Sequence, residues 1–216
     1  MTSPRIAVVG AGHAGPVIAR VLMDAGHPVS IAASRDPEQI ALLAQVLTPG
    51  ADPRWAADAV ADADIVVLSI PLHRFATLDP SLLAGKTVID AMNYWPPTDG
   101  VQAAFEDQRL GSSEIVQARL PQSRVVKTFN HVGYHDLEDW RRPAGAADRL
   151  ALGVAGDDPQ AVDLVAELVE HAGYDAVRLD SLQAGRALEP GHAVFGAGLR
   201  RDDFEAALAA CAKIAA

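Results

Sequence analysis

Three glycines, Gly10, Gly12 and Gly15, stand in G-x-G-x-x-G spacing, directly after an apolar, β-branched run at 6–9 and directly before an apolar helical stretch at 17–23. That spacing suits a pyrophosphate. Gly10 turns the chain tightly out of a strand, Gly12 lets the backbone come close to the phosphates, and Gly15 lets the helix pack on the strand. The helix then aims its free N–H groups and positive dipole end at the anion. A glycine triplet alone is a weak signal, but strand, triplet and helix in register point to a dinucleotide. Ala11, His13 and Ala14 share the loop and count with the glycines as cofactor-binding candidates.

The end of the next strand, residues 29–33, should say which dinucleotide binds. A NAD site places Asp or Glu about twenty residues beyond the glycines, on the ribose 2′-hydroxyl. Here Ser34 and Arg35 stand at that point. A hydroxyl and a guanidinium suit a 2′-phosphate, which the charged fork of Arg can grip, so NADPH is the expected cofactor. Asp36 is the nearest acid, but Asp36-Pro37-Glu38-Gln39 reads as a helix start with Asp at the N-cap and Pro at N1.

Three further segments follow strand-like runs: Ser69-Ile70-Pro71-Leu72-His73, Asn93-Tyr94-Trp95-Pro96 and Thr128-Phe129-Asn130-His131. Ser69 and Asn93 carry neutral donors and acceptors suited to ribose and the nicotinamide amide, and Ile70 and Pro71 offer an apolar wall for the ring. His73 flanks them as a cofactor-binding candidate. Tyr94 and Trp95, beside two prolines, can form a stiff aromatic platform for a flat substrate. His131 and Val132 join them on the substrate side, and Asn130 and His131 are the candidate catalytic residues. His73, His131 and His135 are the side chains that titrate near neutrality without help. Lys127 sits inside a strand, from which its amine can reach a strand edge or a phosphate. The sequence shows no Tyr-x-x-x-Lys pair in place, no metal-ligand cluster and no nucleophile elbow.

The elements that must position these residues alternate strand and helix. Strands are expected at 6–9, 29–33, 65–70, 87–90, 124–128, 150–155 and 176–179. Between them fall helices at 17–23, at 36 to about 47, at 55–63, at 113–120 and after Asp158-Pro159, where Val162, Val165, Leu168 and Val169 share one side and Gly173 closes the helix. Residues 48–53 read as a turn-rich loop, 185–192 as irregular, and Asp202 or Asp203 as the cap of a last helix to Ile214. Such alternation specifies a Rossmann-type, doubly wound, mostly parallel sheet. Residues 1–180 are the dinucleotide-binding domain, and residues 181–216 a small C-terminal cap or dimerisation segment in the same compact unit. In such sheets ligands bind beyond the carboxyl ends of the strands, at the switch in strand order, so the strand-end segments should converge there.

With 216 residues, half of them hydrophobic and 5% aromatic, the chain can build one core from Ala, Val, Leu and Ile. A net charge of −10 argues against nucleic acid and anionic membranes as partners. Cys211 is the only cysteine, which fits a reducing compartment. No run reaches the roughly eighteen apolar residues of a membrane span, and no signal-peptide core is present at the N-terminus. A soluble, cytoplasmic protein is expected.

The order of Gly10-Ala11-Gly12-His13-Ala14-Gly15, Ser34-Arg35, Val66-Val67-Leu68-Ser69-Ile70-Pro71, Val88-Ile89-Asp90-Ala91-Met92-Asn93 and Val125-Val126-Lys127-Thr128-Phe129-Asn130 resembles the NADPH-dependent reductases of the deazaflavin coenzyme F420. The similarity runs to about Gly191. It implies a homodimer whose Rossmann-type domain holds NADP while the C-terminal part helps form the deazaflavin pocket, and hydride transfer between nicotinamide and the deazaflavin C5, driven mainly by proximity and ring alignment. It also implies that Gly10, Gly12 and Gly15 hold the pyrophosphate, with Ser34 and Arg35 on the 2′-phosphate. Ser69, Ile70, Pro71 and His73 would flank ribose and nicotinamide, and Asn93 and Asn130 would border the transfer cleft. Two departures fall on the substrate side: Tyr94-Trp95-Pro96-Pro97 in place of a short Asn-Pro turn, and His131 in place of a small residue. Two other functions stay open: an NADPH-dependent reductase of a small carbonyl or imine (or of flavin or ferric iron), with His131 or His135 as proton donor, and a non-catalytic sensor of the NADP redox state.

Overall fold

The computed structural model describes residues 3–33, 36–107 and 109–214. The first glycine unit is β1 (Ile6–Val9), α1 (Ala14–Asp24) and β2 (Val29–Ala32). There follow α2 (Pro37–Leu47), the two-residue β3 (Asp52–Pro53), α3 (Ala56–Asp62), β4 (Ile65–Leu68), the short α4 (Leu72–Phe75), β5 (Thr87–Asp90) and the short α5 (Pro96–Asp99). The second half holds α6 (Ser112–Arg119), β6 (Arg124–Lys127), β7 (Ala151–Gly156), α7 (Pro159–His171), β8 (Asp175–Leu179) and α8 (Arg201–Ile214). One eight-stranded sheet results, in the order β3-β2-β1-β4-β5-β6-β7-β8. Chain progression reverses between β1 and β4, which puts the topological switch there. The expected Rossmann-type fold is observed.

Each strand of the parallel part alternates its apolar side chains between two covered faces. Ile6 and Val8 face the core shared with Val17, Ile18, Val21 and Leu22 of α1 and with α7. Ala7 and Val9 face the other core, with α3, α4 and Val116 of α6. A third cluster, Ala151, Ala155, Val177, Leu188, Val194 and Phe204, lies where the C-terminal segment covers β7 and β8. Asp36 caps α2 by accepting the Glu38 N–H, and Asp158 caps α7 by accepting the Ala161 N–H.

Three local expectations are corrected. The 48–53 loop contains edge strand β3, which pairs through Ser30↔Asp52 and Ile31↔Pro53; an edge position tolerates proline because one side of the strand bonds to nothing. The stretch 185–192 holds a 3₁₀ turn, Gln183–Leu188. Helix α8 begins at Arg201, so Asp202 and Asp203 lie in its first turn, where the dipole favours acids, rather than outside it as caps. The connection from β6 to β7 contains no regular helix, and β7 accordingly pairs antiparallel to β6.

Candidate active site

The glycine loop is shaped by close backbone approach. Gly10 has φ +131°, and a Cβ there would lie 2.1 Å from the Ser69 carbonyl oxygen. A Cβ on Gly15 would lie 1.8 Å from the Gly10 carbonyl oxygen. Both positions are closed to any side chain by the fold itself. Gly12 differs: a Cβ there would meet nothing within 4 Å. It is exposed beside the start of α1, whose N-cap, His13, makes no side-chain capping bond and whose first turn carries no acid. Open space, uncapped N–H groups and the positive helix end fit a dinucleotide pyrophosphate. The Gly10 N–H donates to Ala32 O and the Ser69 N–H to Val9 O, which hold the ends of β2, β1 and β4 in line. Ala11, Ala14, Ser69 and Ile70 are half-buried around the loop, and Pro71 is exposed. Ser34 and Arg35 lie outside the described residues.

Beyond β5 and β6 the site is built from side chains. Asn93 Nδ2 donates to Asn130 O (2.6 Å), and Asn130 Nδ2 donates to Asn93 Oδ1 (3.0 Å) and Leu188 O (2.7 Å). Phe129 precedes Asn130 with φ +61°, a left-handed conformation unusual for an aromatic residue. It turns the chain sharply at the strand end, where strain is more often kept for a site than for packing. Asn130 is thereby saturated and buried, so it orients Asn93 instead of offering its own amide to a substrate. Asn93 is half-buried and keeps one N–H of its amide in hand.

Beneath this pair lies a buried polar cluster. Lys127, wholly inaccessible, donates from Nζ to Ser112 Oγ (3.1 Å), Ser113 Oγ (3.0 Å) and Met92 O (3.4 Å). Asp90 Oδ2 lies at 3.8 Å and Glu189 Oε1 at 3.9 Å. Ser113 donates in turn to Asp90, whose other oxygen accepts the Met92 N–H. Ser112 donates its N–H and hydroxyl to Glu189. The peptide just ahead of Asn93 is thus clamped from both sides, and the C-terminal segment is tied to the sheet through Glu189 and Leu188. The amine expected to reach a strand edge or a phosphate reaches this cluster instead. Asp90, Ser112, Ser113 and Glu189 were not singled out from sequence; a charge closing each of the apolar runs Thr87–Asp90 and Arg124–Lys127 is the signal that could have found the pair.

His131 does not face the cleft, which corrects its assignment as proton donor and as substrate contact. It is 1% exposed, Nε2 accepts the Gly153 N–H (3.2 Å), and Nδ1 faces Asn130 Oδ1 (3.3 Å). Its ring lies against Phe204, the Gly196 N–H binds its carbonyl, and burial, with the Lys127 charge second, pushes its pKa down to about 3. A neutral ring with both nitrogens engaged holds α8 and the cap to β7. Val132, half-buried, packs on the α1 side of the core. Tyr94, half-buried, stacks its ring on Phe105, and its hydroxyl donates to Glu106 Oε1 while accepting the Gln102 N–H. Trp95 remains 49% exposed.

Two contacts draw the loops together. His13 of the glycine loop stacks on Tyr134 at 5.5 Å, and Tyr134 lies 4.0 Å from His135. Asp99, buried at the end of α5, accepts the N–H of Trp95 on Oδ2 (2.9 Å), and on Oδ1 the N–H of His73 (3.1 Å) and its ring Nδ1 (3.1 Å). Asp99 was missed because nothing in the spacing of residues 73 and 99 marks them as partners. Four strand-end segments therefore meet around the switch point, as the fold class requires.

Residues 5–94 match the family described as NADP oxidoreductase coenzyme F420-dependent. The resemblance read from the sequence therefore holds over the glycine loop, β2, β4 and β5 up to Tyr94. A hypothetical protein from Sinorhizobium meliloti has a similar structure, with TM-score 0.76, 27% identity, and 94% of this chain and 97% of that one covered. So does a candidate F420-dependent NADP reductase from Arthrobacter sp. FB24, with TM-score 0.68, 27% identity, and coverage of 86% and 88%. An imine reductase from Pseudomonas sp. shares the fold at TM-score 0.59 and 17% identity, over 97% of this chain and 62% of that one. No curated protein matches the chain. Among the described residues, no helix is long and apolar enough to cross a membrane.

Proposed function

We propose that this chain, an NADP-dependent oxidoreductase, passes a hydride between NADPH and the deazaflavin coenzyme F420. The observation that carries this reading is the family match through residue 94, which spans the open Gly12 loop and runs to the strand end bearing Asn93. When bound, NADPH supplies a hydride from its nicotinamide ring. Gly12 and the first N–H groups of α1 bind the pyrophosphate, and Ser34 and Arg35 take the 2′-phosphate. Ser69, Ile70 and Pro71 wall the nicotinamide side, where Asn93, held by Asn130 over the Lys127 cluster, orients a ring amide. Trp95 supplies an exposed flat face to the acceptor. Little covalent chemistry is asked of the protein, because alignment of two rings in a restricted cleft supplies most of the rate.

Residues 1–180 act in this reading as the cofactor domain and 181–216 as the cap, in a cytoplasmic homodimer. Stopped-flow oxidation of NADPH, and separately of NADH, with purified F420 tests it. Fast transfer with NADPH and little with NADH is expected. Tight NADPH binding without transfer to F420 would sink the deazaflavin half and favour a small carbonyl or imine as acceptor.

A further inference from the structure

We infer that His73, oriented by the buried Asp99 carboxylate, is the proton donor to the acceptor that takes the hydride. This rests on the reading of the chain as a hydride-transferring reductase and adds the residue that completes its stoichiometry. Any two-electron reduction by NADPH of a conjugated ring, imine or carbonyl consumes one proton. The hydride forms a C–H bond at the acceptor carbon, the displaced electron pair moves to a ring nitrogen or oxygen, and that atom needs a proton.

The geometry around His73 is that of an oriented acid. Asp99's side chain is 3% exposed and its carboxylate accepts three N–H donors, one of them His73 Nδ1 at 3.1 Å. A carboxylate on Nδ1 selects the ring that keeps its proton there and turns Nε2 outward. The imidazole side chain is 34% exposed, and among the described residues Nε2 has no hydrogen-bond partner. His73, on α4, follows Ile70 by three residues and Pro71 by two, and the same carboxylate holds the backbone of Trp95. One buried carboxylate thus ties His73, on the segment assigned to the cofactor, to Trp95, on the segment assigned to the acceptor. Among the described residues the charged group bonded to the ring is Asp99 of α5; Arg74 stands beside it on α4, Arg119 of α6 donates to Ala76 O at the end of that helix, and Glu106 is bonded to Tyr94. In the step the donor is the imidazolium, protonated at both nitrogens: its Nε2–H bond breaks and an N–H or O–H bond forms on the acceptor. The electron pair stays on Nε2, leaving neutral imidazole with its Nδ1–H on Asp99. Solvent then returns a proton to the exposed Nε2. Neither His131, buried and engaged at both nitrogens, nor Tyr94, tied to Glu106, can do this.

The test uses full-length wild type, His73→Gln and Asp99→Asn, with three readouts. Nitrogen-15 NMR of the His73 ring should show the Nδ1–H form in wild type and a mixed population in Asp99→Asn. Fluorescence titration gives the NADPH affinity of each, so that transfer is compared with the cofactor saturating in all three. Single-turnover hydride transfer, to F420 and to a cyclic imine, should fall about 10²–10⁴-fold in His73→Gln and less in Asp99→Asn. An unchanged transfer rate in His73→Gln overturns the proposal, as does a loss that merely follows weaker NADPH binding. A neutral wild-type ring whose single proton sits on Nε2, or one unaffected by Asp99→Asn, overturns it with no acceptor present. Transfer to the imine and not to F420 removes the deazaflavin reading while the His73 comparison is still decided on the imine.

Discussion

At β1 and β4 the carboxyl end of the sheet is made of backbone, whereas at β5 and β6 it is made of buried side-chain hydrogen bonds. The first region needs the absence of atoms: Gly10 and Gly15 leave no room for a Cβ against Ser69 O and Gly10 O, and Gly12 leaves its space to a ligand. The second needs a full complement of partners: Lys127 with Ser112, Ser113, Met92 O and two carboxylates, and Asn93 with Asn130. A backbone-built site is tolerant of solvent and specific for shape, which suits a cofactor common to many enzymes. A side-chain-built site is sensitive to every member, so one substitution there is felt through the whole cluster. The difference also predicts different responses to substitution.

Lys127→Met should break the polar region most severely. It leaves Asp90 and two serines buried without the cation, and the expected cost is about 3–5 kcal/mol of folding stability, read by urea denaturation. Loss of under about 1 kcal/mol would show that the cluster contributes little. Gly15→Ala should cost about 1–3 kcal/mol, because a backbone oxygen must move, and NADPH affinity should fall with it. Acidification separates the regions next. Buried His131 stays neutral down to about pH 3 in the fold, while the unfolded histidine takes up a proton near 6.5. Between those values the unfolded chain binds more protons, so stability falls as pH falls. From about pH 7 to about pH 5.5 the loss through His131 is about 1 kcal/mol. His27, whose pKa burial also lowers, adds in the same direction. A His131→Gln variant should show a flatter pH dependence in the same denaturation series. The smallest structural effect belongs to Gly12→Val: stability should stay within about 0.5 kcal/mol, since the side chain enters open space. NADPH affinity should nevertheless drop at least about tenfold in a fluorescence titration; an unchanged affinity would move the pyrophosphate elsewhere.

Much of the fold could be read before any coordinates. Apolar runs bounded by Gly, Pro and Asp caps place β1, β2, α2, β5 and α7 within a residue or two, and α1 all but its first turn, because strand period, capping and glycine spacing are local properties of the chain. Edge strand β3 escaped because two residues carry no period. The antiparallel turn of β7 followed only from what the 128–150 connection lacks. On the substrate side, residue type misled at one point: a histidine next to Asn130 reads as chemistry until its ring is found inside the core.

By itself the sequence determined the doubly wound sheet, the glycine loop at its switch point and a dinucleotide as the ligand, since each depends on neighbours a few residues apart. Only the tertiary structure decided the partners across 26 residues for His73 and Asp99, 37 for Asn93 and Asn130, and 58 for Asn130 and Leu188. Those pairs join side chains at the ends of different strands and loops. Their distances depend on strand order and on the φ of Phe129, and no spacing along the chain encodes either.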